Sequence, residues 1–358
     1  MAGACGGWAR GGGRRGASAV AVLLSPLRAA LGLPGKEKGL GAPALAPRRC
    51  SSAAGLGARG DNGVSVSQSV RGERIRVRGG RLRRVCLRRV CLYRVSRPRG
   101  VCRPKSSVSF LTRPDRPNLA YHRLKGRNPG IIFLPGFNSN MNGQKAMALE
   151  DFCNSLGHAF IRFDYTGCGS SEGKFEECTI GKWRKDVLSV LDELADGPQI
   201  LVGSSMGGWL MLHAAIARPD KVAALVGVAA AADHLVTTFK KLPIEAQKEI
   251  EEKGEWKFPT KYNEEGYYSL RYDFIKEAEN HCVLNSPIPI TCPIRLIHGM
   301  KDDDVPWQIS MQVADRVLSK DVDVILRKTG QHRMSEKEDT KLLVNTVDDL
   351  IDKLATLA

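Results

Sequence analysis

Short apolar runs, three of them stopped by a turn residue or an acid, constrain this chain more than any other feature. Residues 130–134 end at Pro135-Gly136, 159–163 at Asp164, and 199–202 at Gly203; 222–228, 294–297 and 322–326 follow. Continuous apolar runs of this length suit strands covered on both faces, as in parallel sheets. Helix-length amphipathic segments, roughly 143–156, 179–195, 206–217, 307–318 and 335–354, separate most of them. Alternating strand and helix predicts an α/β architecture with a mostly parallel, doubly wound sheet. The alternation breaks once, over about 232–287. That stretch holds a helical piece at 244–253 and the aromatics Tyr262, Tyr267, Tyr268, Tyr272 and Phe274. An insertion there is expected to cap the strands' C-terminal ends, where open α/β sheets bind ligands. The competing reading is a surface embellishment whose aromatics form a small core of their own.

Gly203-Ser204-Ser205-Met206-Gly207 fits G-x-S-x-G. It follows an apolar strand and opens a helical pattern, the context that gives the motif mechanical meaning. The central serine sits on a tight strand-to-helix turn that projects its hydroxyl, so Ser205 is the candidate nucleophile and Ser204 a turn residue. A serine hydroxyl attacks poorly unless a base takes its proton. Of seven histidines, His298 and His332 lie near the ends of late strands. His298 precedes any acid that follows its strand and reads as a packed strand-end residue. His332 follows the last strand, where a base can reach back to Ser205. The acid is expected on the loop His298-Gly299-Met300-Lys301-Asp302-Asp303-Asp304-Val305-Pro306. Asp302 is favoured over its two neighbours, and Asp304 is a candidate cap for the helix beginning near Trp307. Backbone amides of Met206 and Phe137 are the expected donors to an oxyanion, Phe137 because it follows the Pro135-Gly136 turn. This chemistry implies no metal and no cofactor.

Charge bears on partners. Residues 1–105 hold 23 of the 54 Lys and Arg but three of the 38 acids, leaving 31 bases against 35 acids in the remainder. The basic character therefore belongs to the first third, and the expected globular part offers no basic stripe for nucleic acid. An Arg-rich, acid-poor segment of this kind buries too little apolar surface to order itself. Its composition is that of a mitochondrial transit peptide; a secretory signal, with Arg14 and Arg15 before the apolar run 19–24, is the competing reading and is disfavoured by the basic stretch that follows. Domain organisation is therefore read as a transit-peptide-like segment over 1–105 and a catalytic domain over 106–358. No run reaches the about 18–20 apolar residues a membrane span needs. Five of the ten cysteines fall in the globular part, an odd number without C-x-x-C spacing, and read as free thiols.

These residues resemble the α/β-hydrolase family. Ser205, Asp302 and His332 fall where the family places its triad. Residues 299–306 are similar to its strand-end G-x-x-D-x-x-V-P pattern, and 164–171 to its D-x-x-G-x-G-x-S turn. Residues 110–115, 203–219 and 310–328 carry a narrower likeness, over about 109–357, to a mitochondrial branch of the family. That resemblance implies S-acylated proteins and small-molecule acyl esters as substrates: depalmitoylation and acyl-glucuronide hydrolysis. A general carboxylesterase and a non-catalytic binding relative are the alternatives.

Overall fold

The computed structural model describes residues 108–357. The transit-peptide-like segment expected over 1–105 lies outside the described residues. All six apolar runs form strands: β3 (Arg127–Leu134), β4 (His158–Phe163), β5 (Gln199–Ser204), β6 (Val222–Val228), β9 (Ile294–Gly299) and β10 (Val322–Arg327). They pair in parallel, in the order β4-β3-β5-β6-β9-β10. Two further strands, β1 (Ser109–Arg113) and β2 (Arg116–Leu124), extend the sheet antiparallel beyond β4. Apolar runs do not announce this hairpin, because its half-exposed strands carry polar residues such as Arg116 and Asn118.

Helices α1 (Gln144–Leu156), α2 (Ile180–Glu193), α3 (Met206–Ala217), α7 (Gln308–Arg316) and α8 (Lys337–Leu357) cover the two faces. Strand alternation divides the core accordingly. Ile132, Leu134 and Leu201 pack with Trp183, Val187 and Leu210 of α2 and α3. Ile131, Phe133 and Ile200 pack with Leu149 of α1 and Val347 of α8. Fully burying such a side chain stabilises the fold by roughly 1.5–3 kcal/mol. Helix α3 is the most enclosed, with ten of its twelve residues buried. It is thus held rigidly behind β5, a central strand, and its first turn carries the nucleophile candidate.

The break in alternation contains α4 (His234–Lys240), α5 (Ile244–Lys253), the hairpin β7 (Glu255–Pro259) and β8 (Tyr267–Arg271), and α6 (Tyr272–Glu279). Phe239, Trp256, Leu270 and Ile275 give it a small core. The insertion also reaches the main core, because Phe274 and Leu235 pack there. Asp233, in the left-handed region at φ 56°, fastens its two ends. The buried carboxylate accepts the amides of Val283 (2.9 Å) and Leu284 (2.7 Å), so the chain leaves and returns at one point.

A buried ion pair anchors the antiparallel hairpin. The Arg113 guanidinium meets the Asp186 carboxylate at 2.6 Å, and Asp186 also accepts the Thr166 amide at 2.8 Å. Removing one partner of such a pair strands a charge in the interior, which costs about 3–5 kcal/mol. Arg113→Met is expected to lower unfolding stability by that amount in urea melts. Arg123→Met, at the exposed pair with Asp196, should change it by less than about 1 kcal/mol.

Candidate active site

The strand-to-helix turn after β5 is strained at one residue. Ser205 has φ 54° and ψ −119°, a conformation side chains rarely adopt. Its surroundings enforce it. The Ser205 amide donates to the Val228 carbonyl (2.9 Å), and its own carbonyl accepts from Gly208 (2.9 Å) and Ala231 (3.0 Å). A Cβ at Gly207 would overlap the carbonyl oxygens of Leu134 and Pro135, so only glycine lets α3 start this close to β3. A serine preceding a helix ordinarily caps it with its hydroxyl. Here the Ser205 side chain makes no cap bond, and its Oγ lies 3.0 Å from His332 Nε2. Ser204 remains in β5, paired with Val228.

His332 lies on the loop after β10, and its Nδ1 is 2.8 Å from Asp302 Oδ2. An ionised carboxylate only accepts, so Nδ1 carries the proton and Nε2 is free to accept the Ser205 hydroxyl hydrogen. Backbone bonds from Met300 to Arg327 (2.8 Å) and from Lys301 to Gly330 (2.9 Å) tie the acid loop to the histidine loop. Asp302 is the best-supplied acceptor of the three aspartates. Its Oδ1 accepts the amides of Asp304 (3.0 Å) and Val305 (2.8 Å); its Oδ2 accepts from His332 and, at 3.0 Å, from His298. Burial opposes ionisation of this carboxyl, but hydrogen bonds from His298 and His332 outweigh it and hold Asp302 well below the usual carboxylate range. Asp303 is exposed.

His298 is buried, as a packed strand-end residue should be, with Nδ1 2.7 Å from Ser310 Oγ. Its Nε2 faces two acceptors, Asp302 and the Val305 carbonyl (3.0 Å), so it donates and orients the acid. That role was not read from the sequence, although the four-residue spacing from Asp302 was visible. Asp304 does not cap the helix after Trp307, whose start has no side-chain cap. Its carboxylate instead accepts the Tyr262 hydroxyl (2.7 Å) and lies 3.4 Å from Lys261 Nζ, joining the insertion to the acid loop.

Phe137 and Met206 lie on either side of the nucleophile. Met206 is the first residue of α3, so its amide has no partner within the helix. The Pro135-Gly136-Phe137 loop runs close to Ser205: a Cβ at Gly136 would lie 3.3 Å from Ser205 Cβ. The turn at 164–171 steadies this loop. Asp164 accepts the Met141 amide (2.6 Å) and the Ser170 amide (2.8 Å), and the Tyr165 hydroxyl donates to the Pro135 carbonyl (3.2 Å). The Phe137 ring packs edge-on against Trp183, Phe175, Tyr268 and Phe274.

Ser205, Met206, Phe137 and His332 line a cavity of about 420 Å³. Trp209, Phe258, Tyr268, Leu270 and Phe274 supply apolar lining; Tyr262 adds a hydroxyl, and Lys145, His234 and Arg333 add polar groups that the sequence did not point to. Burial, more than any neighbour, lowers the His234 pKa and favours its neutral ring. Among the described residues, Asp302, Asp304 and His332 are the one group with donor atoms close enough to share a metal ion. Their atoms are already engaged by His298, Tyr262, Lys261 and each other, which suits a hydrogen-bonded relay better than an ion.

The profile of the alpha/beta hydrolase fold family matches residues 129–265. The chain belongs to this family and is a hydrolase. Its curated relatives include the mitochondrial palmitoyl-protein thioesterase ABHD10 of Homo sapiens, 71% identical over 256 residues, covering 72% of this chain and 84% of the relative. The Mus musculus protein of the same name is 70% identical, covering 72% of this chain and 86% of its own length. Among solved structures, alpha/beta hydrolase domain-containing protein 10 from mouse matches with a TM-score of 0.68 at 70% identity, over 70% of this chain and 100% of that one. The relatives' mitochondrial designation agrees with the location expected from the basic N-terminal segment.

The depressed Asp302 carboxyl links stability to pH. A carboxyl whose folded pKa lies below its unfolded value stabilises the fold above that unfolded value, about 3.9, and loses the effect as pH falls further. The stability difference between wild type and Asp302→Asn is therefore expected to shift against wild type as pH falls from 5 to below about 4. Urea melts across that range check the sign.

Proposed function

We propose that Ser205, His332 and Asp302 form a catalytic triad that hydrolyses S-acyl thioesters, removing palmitoyl-type groups from proteins. The observation that carries this reading is the hydrogen-bonded chain Ser205–His332–Asp302, at 3.0 and 2.8 Å, on the wall of a cavity with six aromatic side chains in its lining. Relatives about 70% identical and named palmitoyl-protein thioesterases support the choice of substrate. The small-molecule acyl esters and acyl glucuronides implied by the resemblance need the same chemistry, and we include them as substrates. Targeting by residues 1–105 is part of the same proposal.

His332 Nε2 takes the Ser205 proton as Oγ attacks the acyl carbonyl, and Asp302 stabilises the imidazolium that forms. The tetrahedral oxyanion is held by the amides of Phe137 and Met206. The carbon–sulfur or carbon–oxygen bond to the leaving group then breaks, and His332 returns the proton to the departing thiol or alcohol. Water, deprotonated by His332, attacks the Ser205 acyl ester in the second half. The free acid leaves and the proton returns to Ser205. The apolar side chains take the acyl chain, whose burial supplies binding at roughly 25 cal/mol per Å².

Ser205→Ala should abolish both fluorophosphonate labelling and turnover of a palmitoyl thioester; persistent labelling would place the nucleophile elsewhere. Asp302→Asn is expected to lower kcat by up to about 10⁴-fold with the fold intact, since the wrong tautomer of His332 is then favoured. Asp303→Asn should leave kcat within about twofold of wild type, because that side chain is exposed and outside the relay.

A further inference from the structure

Two cations in the cleft make no ion pair with a carboxylate among the described residues. The Arg333 guanidinium lies over the Tyr262 ring, 4.4 Å from its centroid, and pairs with no acid among the described residues. Lys145 Nζ donates to the Arg333 carbonyl at 2.5 Å, which joins the start of α1 to the His332 loop. Burial first, and then the Arg333 charge, pushes the Lys145 ammonium down to about 8, against a smaller opposing pull from Asp339. The nearby acids are already committed: Asp304 to Tyr262 and Lys261, and Asp339 to Arg327 at 3.1 Å. Helix α1 adds to the positive character. Its Gly143 cap offers no side-chain acceptor, its first turn holds no acid, and Gly143 and Gln144 line the cleft.

The location decides what this charge can serve. Any leaving group must pass His332 Nε2 to collect its proton, and Arg333 follows His332 directly in the chain. The aromatic residues suit an acyl chain, whereas Lys145 and Arg333 suit whatever the acyl chain is attached to. We propose that the start of α1 and the His332 loop form a leaving-group subsite for an anion, with Lys145 and Arg333 binding a carboxylate or phosphate carried by the departing thiol or alcohol. The subsite rests on the assignment of Ser205 as the nucleophile. It adds a preference that an aromatic cavity alone does not predict, namely rapid release of acyl groups from anionic carriers.

The test compares leaving groups at a fixed acyl chain, using the full-length protein. A coenzyme A thioester supplies phosphate against a neutral N-acetylcysteamine thioester. A glucuronate ester supplies carboxylate against the matching glucose ester. Wild type is expected to favour the anionic member of at least one pair in kcat/KM, and added KCl should compress that preference. Arg333→Gln and Lys145→Gln, the latter retaining a donor for the Arg333 carbonyl, should each lower the anionic-to-neutral ratio about tenfold, the worth of one charge-assisted hydrogen bond. The pair in which the ratio falls identifies phosphate or carboxylate as the ligand. As a measurement independent of variants, inorganic phosphate or free glucuronate should raise the KM of wild type for the neutral thioester. Unchanged ratios with turnover intact, or no inhibition by either anion, overturn the subsite alone. Failure of wild type to hydrolyse any of the four substrates overturns the Ser205 assignment, and the subsite with it.

Discussion

The close approach of β5, α3 and the loop after β3 fixes Ser205 in a conformation that its own backbone disfavours. A strain of order 1–3 kcal/mol persists only where surrounding structure over-determines it. Here the Val228 carbonyl holds the Ser205 amide, the Ser205 carbonyl holds two further amides, and α3 is buried along almost its whole length. Relaxing the turn would require moving α3 through the sheet's central core. The strain has a chemical consequence. It turns Oγ away from the helix it would otherwise cap and toward His332. The same turn leaves the Met206 amide without a helical partner, next to a loop that passes close by at Gly136, where a Cβ would lie 3.3 Å from Ser205 Cβ.

Everything else in the site is arranged around that fixed point by ties between loops. The His332 loop is bonded to the Asp302 loop through backbone, Asp302 is oriented by four donors, and the loop after Leu134 is held by Asp164 and Tyr165. The hydrogen bonding of Asp302 shows why one aspartate of three is proposed as the acid. Its side chain is fully enclosed, and each of its oxygens receives two hydrogen bonds. Asp304, two residues on, faces the insertion instead and receives Tyr262. One loop thus carries both the relay and the connection to the cap.

The parts legible in sequence were those with a local signature. Apolar runs located six strands because parallel strands are buried on both faces, and G-x-S-x-G located the elbow because steric demand fixes its glycines. Residues 244–253 gave a helix from periodicity alone, as found. The β1–β2 hairpin left no such trace, since half-exposed strands need only half their residues apolar. The β7–β8 hairpin was hidden for a similar reason: Glu255–Pro259 buries one side chain, Trp256. His298 as a donor to Asp302, and Asp304 as a receiver of Tyr262, depend on contacts four to forty-two residues apart in the chain. A local pattern cannot distinguish such a partner from a helix cap, which is how Asp304 came to be read as one.

The insertion therefore acts on the site through chemistry as well as by covering it. Its base is pinned at Asp233, where the amides of Val283 and Leu284 close the loop. Its far contact is the Tyr262–Asp304 bond, beside a guanidinium stacked on the same ring. Burial, together with the hydrogen bond to Asp304, pushes the Tyr262 phenol above its ordinary value, so it stays a donor across the physiological range. A neutral hydroxyl bonded to a carboxylate holds the cap without adding charge to the cleft. The positive character contributed by Lys145 and Arg333 is consequently left for a ligand.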